Sequence, residues 1–68
     1  MEQNAKISAQ KQATDFVSDI IKWQNQIKEK VDINKLDSEL DHNQAVQKVI
    51  YFALEKTAKE IKEKYEIN

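Results

Sequence analysis

The chain has 68 residues and not one Gly, Pro or Cys. Pro breaks helices and Gly weakens them, so a chain with neither carries no strong helix punctuation. The same absence removes the residues that favour two-residue hairpins, phosphate-cradling loops, disulfides and thiolate metal sites. What remains is long helix held by packing. A chain this short buries only roughly 60% of the surface its unfolded form exposes. Small domains offset that deficit with disulfides, a metal or a partner subunit. Without cysteine, excellent helix packing or association is the expected remedy.

Eleven Lys face twelve acids, for a net charge of −1, and Arg is absent. Arg is the usual bidentate grip on phosphate and guanine, so balanced charge without Arg disfavours a nucleic-acid reader. Met1 to Lys11 is polar and has no apolar stretch of signal-peptide length. The longest apolar run, Val49 to Leu54, is far short of the about 20 residues a membrane helix needs. A cytoplasmic protein with no membrane segment is the resulting expectation.

At 100° per residue the first half shows one apolar stripe: Ala9, Ala13, Phe16, Val17, Ile20, Trp23, Gln24, Ile27 and Val31. This predicts an amphipathic helix over about residues 5–31, with Asn4 as its cap. Phe16 and Trp23 are assigned to the core seam with Ile20 and Ile27. The phase then breaks. Ile33, Leu36 and Leu40 share a stripe that would point away from the first one if the helix continued. A reversal near Asp32, itself a good N-cap, resolves the conflict. Asp41-His42-Asn43-Gln44 reads as a capping box opening a further helix. That helix, about 42–66, has its stripe at Val46, Ile50, Ala53, Leu54, Thr57, Ile61 and Tyr65. Glu and Lys at four-residue spacing support its outer face by about 0.2–0.5 kcal/mol per pair. A short helix over about 33–40 is expected between the two, with a single helix over 33–66 as the rival.

The expected fold is therefore all-α and a single domain. Two long antiparallel helices form a hairpin with a short connecting helix, assembling into a homodimeric bundle.

His42 sits among Asp37, Glu39 and Asp41, but no second His or any Cys completes a zinc set. Asp32 to Asn43 has the length of a calcium loop. It places Leu36 at an oxygen-ligand position, Asp37 where Gly is required and Asn43 where a bidentate Glu belongs. No serine has a matched base. No metal, no cofactor and no enzymatic activity are expected.

Ala45, Val49 and Phe52 form a second, narrower apolar strip, on the side of the last helix opposite Ile50 and Ile61. Such a strip is either a widened core or an interface. The function favoured here is a non-enzymatic regulator, inhibitor or adaptor that binds a protein partner through this helix face. Ala45, Lys48, Val49, Phe52 and Lys56 are its candidate interface residues. The alternative is a nucleic-acid-binding regulator using the Lys/Gln face of the first helix, with Lys6, Lys11, Lys22 and Lys28.

Overall fold

A computed structural model describes residues 2–67, with side chains from Ala5 onward. Helix α1 spans Glu2–Lys30 and helix α2 spans His42–Lys64. Between them lies a connector containing one 3-10 turn, Asp37–Glu39. No strand occurs among the described residues. The helix begins before Asn4, so Asn4 lies inside α1 rather than capping it; its side chain falls outside the described set.

The two helices pack side by side and run in opposite directions. Gln10 Nε2 donates to the Tyr65 carbonyl at 3.0 Å, and Gln24 Nε2 to the Tyr51 carbonyl at 3.2 Å. Both pairs obey one register, in which residue i of α1 lies level with residue 75 − i of α2. Val17 and Ala58 lie level by the same rule, and the other buried residues pack within about two turns of it. Val17 and Ile20 pack with Ala58, joined by half-buried Leu54 and Ile61. Ile27 and Val31 pack with Tyr51, joined by Ile33, Leu40, Ile50 and Leu54.

The seam along α1 thus reads Gln10, Ala13, Val17, Ile20, Gln24, Ile27, and then Val31 just past its end. That along α2 reads Gln44, Gln47, Tyr51, Leu54, Ala58, Ile61, and then Tyr65 at its C-cap. Spacings alternate between three and four, a strict seven-residue repeat. Hydrophobic burial in the seam is interrupted by four glutamines, two of which, Gln10 and Gln24, donate across the hairpin to backbone carbonyls. Each bond contributes about 0.5–1.5 kcal/mol, and a shifted register would break it.

Several expected core positions lie elsewhere. Phe16 is 54% exposed and Trp23 is 51% exposed. They stand one residue before Val17 and Gln24, on the flank of the seam rather than in it. On α2 the buried positions are Tyr51 and Ala58, whereas Val46, Ala53 and Thr57 are exposed. The expected stripe was turned by about one position because large aliphatics dominate a 3.6-residue average. The actual seam uses a small residue, Ala58, and polar ones at Gln44 and Gln47.

The reversal begins where α1 stops. Val31 is 4% exposed and closes the core. Asp32 Oδ1 accepts from the Asn34 amide at 3.0 Å, and the Lys35 amide donates to the Asp32 carbonyl at 3.2 Å. Asp32 therefore holds a turn through its side chain instead of capping a helix. The short helix expected over 33–40 is reduced to the 3-10 turn. Its sequence favours this outcome, since Asp32, Asn34, Asp37 and Ser38 all bond to nearby backbone more readily than they propagate helix. The rival single helix over 33–66 is excluded by the non-helical backbone from Val31 to Leu36.

The capping box at the start of α2 is complete. The Gln44 amide donates to Asp41 Oδ1 at 2.8 Å, and the Asp41 amide donates to Gln44 Oε1 at 3.2 Å. At the other end the Ile67 amide reaches the Lys62 carbonyl at 2.8 Å, while the Glu66 amide faces the Glu63 carbonyl at 3.4 Å. This is a Schellman closure, and Glu66 takes the left-handed position at φ 56° that Gly usually fills.

Candidate functional site

The apolar strip of α2 runs along the side turned away from the seam. Phe52 follows Tyr51, so a buried ring and an exposed ring stand next to each other in the chain. Their centroids are 5.2 Å apart with planes at 85°, an edge-to-face pair. Lys28 Nζ lies 5.6 Å from the centroid of the Tyr51 ring. Tyr51 is thereby packed against the seam, a cation and a neighbouring ring, and Phe52, one residue off the seam, stands at the surface. Phe52 remains 46% exposed and Val49 is 65% exposed.

The other candidate residues have different surroundings. Ala45 is half-buried and Lys56 is exposed. The Lys48 side chain is only 19% exposed: its Nζ donates to the Lys35 carbonyl at 2.7 Å and pairs with Asp37 Oδ1 at 3.0 Å. Lys48 thus ties the connector to α2, and the strip's lysine rim is carried by Lys56. Nothing in the sequence pattern signalled this, because the contact depends on where the turn places the Lys35 carbonyl.

A second apolar surface, unforeseen in the sequence, lies on one flank of the hairpin. An antiparallel pair of helices is related by a pseudo-twofold perpendicular to their common plane. Equivalent heptad positions therefore share a flank. Phe16 and Trp23 precede the seam residues of α1, and Ile50 and Thr57 precede those of α2; all four lie on the same side. A surface groove formed by Phe16 with Ala13, Ile61, Lys64 and Tyr65 agrees with this placement. Ile21, by contrast, lines a groove with Glu55, Lys59 and Lys62 on the opposite flank. The seven-residue spacing of Phe16 and Trp23 was the available signal. It becomes legible once the seam is phased on Val17 and Gln24.

The lysines proposed for nucleic-acid contact do not form one stripe. Lys11 and Lys22 fall within about 20° of each other around α1, while Lys6 and Lys28 lie roughly 100–160° away from them. Lys6 pairs with Glu66 at 3.9 Å, and Lys28 is engaged over Tyr51. His42 is exposed at the first turn of α2 beside its cap. Among the described residues, no three His, Asp or Glu side chains are grouped so as to hold a metal ion. No helix of the described residues is long and apolar enough to cross a membrane.

No protein-family model, curated protein or solved structure matches this chain.

Proposed function

We propose that this chain is a small non-enzymatic interaction protein, a regulator, inhibitor or adaptor, that binds a protein partner along the outer strip of α2. The observation that carries the reading is the exposure of Val49 and Phe52 beside the buried Tyr51, whose ring meets that of Phe52 edge to face. Aromatic side chains fixed in place before binding lose little entropy on association and are common anchors of interfaces. The strip has helix-in-groove spacing, with Ala45, Val49, Phe52 and Lys56 three or four residues apart. Lys56 at its edge favours a partner with acidic groups around an apolar groove. The chain works as a homodimeric bundle, which leaves this strip free.

The test is retrieval of partners from source lysate by the immobilised protein, compared with a Val49→Glu/Phe52→Glu variant of matched helicity. A partner retained by the native protein and lost by the variant supports the reading. Identical profiles for the two proteins, or a bound fraction removed by nuclease and by moderate salt, would reject it.

A further inference from the structure

We infer that the flank carrying Phe16 and Trp23 is covered by a second copy of this chain, giving a four-helix bundle. The inference concerns a face distinct from the strip of Val49 and Phe52 and stands independently of what that strip binds.

The first support is area. A globular monomer of this chain's mass, 8.0 kDa, exposes about 4,500 Å². This chain exposes 5585 Å². The surplus, roughly 1,100 Å², exceeds the about 800 Å² that each partner contributes to a standard stable interface. Shape gives the same answer. The radius of gyration is 15.2 Å in a body of 53 × 17 × 16 Å, against about 11 Å for a compact domain of this length. A second hairpin laid alongside removes surface without lengthening the molecule.

The second support is chemistry. The middle of the row next to the seam on this flank, Phe16, Trp23, Ile50 and Thr57, carries no charge. Its charges sit at the margins and cancel: Lys30 and Lys64 near the two ends, Asp19 and Glu60 at the edges. A neutral apolar centre with a balanced rim is the pattern of a self-associating face. The opposite flank carries Lys28, Lys59 and Lys62 against Glu55, with Lys48 already paired to Asp37, and its net positive charge opposes docking on its own copy.

The third support is self-complementarity. By the register of the seam, Ala53 and Thr57 of α2 lie level with Trp23 and Phe16 of α1. The two aromatic rings are therefore on α1, and α2 offers Ala53 and Thr57 beside the aliphatic Ile50. A twofold axis running along the hairpin sets the α1 of one copy over the α2 of the other. Each pair of rings then meets the Ile50, Ala53 and Thr57 side chains of the other copy, twice over, as an isologous contact requires.

The experiment is solution mass and tryptophan emission over a dilution series of the native chain, with Phe16→Glu, Trp23→Glu and Val49→Glu/Phe52→Glu variants. Trp23 is the only tryptophan, so its emission reports this face alone. The native chain is expected at twice its chain mass with blue-shifted emission, and dilution should shift both together. Phe16→Glu and Trp23→Glu should give the single-chain mass with helicity kept. The Val49/Phe52 variant should remain dimeric. A native chain at single mass at 100-fold above micromolar concentration would overturn the inference. So would a dimer whose Trp23 emission stays that of a solvated indole, a readout that needs no variant. Loss of the dimer in the Val49/Phe52 variant alone would assign self-association to the other face. Loss of partner retrieval without change of mass would bear only on the proposed function.

Discussion

At the residue scale, stability is concentrated in few side chains. Ile27 is 2% exposed and touches both helices' contributions to the second cluster. Ile27→Ala should cost about 2–5 kcal/mol, the range for truncating a buried aliphatic. Phe52→Ser, at a half-exposed site, should cost less than about 1 kcal/mol by thermal or urea melts. Equal losses for the two would make Phe52 a core residue and remove the basis of the proposed interface. Glu66 offers an opposite test. A non-glycine residue in the left-handed region is strained by roughly 1 kcal/mol. Glu66→Gly should therefore raise stability by about 0.5–1 kcal/mol. The exposed Lys6–Glu66 pair it removes is worth little by comparison. The sequence made the Asp41–Gln44 capping box readable because both partners lie three residues apart. It hid Tyr51, Ala58 and the exposure of Trp23, since one residue of phase separates seam from flank and hydrophobicity alone does not resolve it.

At the scale of elements, the two helices were legible from periodicity, while the connector was legible only as an interruption. Asp32, Asn34 and Ser38 compete for backbone hydrogen bonds, and the number of turns they make depends on which carbonyls the ends of α1 and α2 leave available. Lys48 reinforces that choice from α2. Lys48→Ala should leave the helices intact and speed amide exchange across residues 35–40, as measured by hydrogen–deuterium exchange. Unchanged exchange there would mean that Lys48 does not hold the connector. The glutamine layers act on register. Gln24→Leu should raise the melting temperature, because an apolar layer replaces a polar one, while broadening amide resonances or multiplying them as alternative registers become accessible. A single sharp set of resonances in that variant would show that the apolar layers alone define the register.

At the scale of the whole molecule, everything rests on the chain folding back on itself at Asp32. The seam, the two flanks and the outer strip of α2 exist only in that arrangement. Because the chain has no native cysteine, spin labels can be placed through Lys11→Cys and Glu63→Cys without competition. These positions lie nearly level across the hairpin, so electron–electron dipolar spectroscopy should give a separation below about 30 Å, two helix radii plus the label arms. Dilution of the labelled chain with unlabelled copies isolates the distance within one chain. A continuous helix would separate the labels by close to 80 Å at 1.5 Å per residue. A peak near that distance, in place of the short one, would contradict the hairpin and both surfaces built upon it.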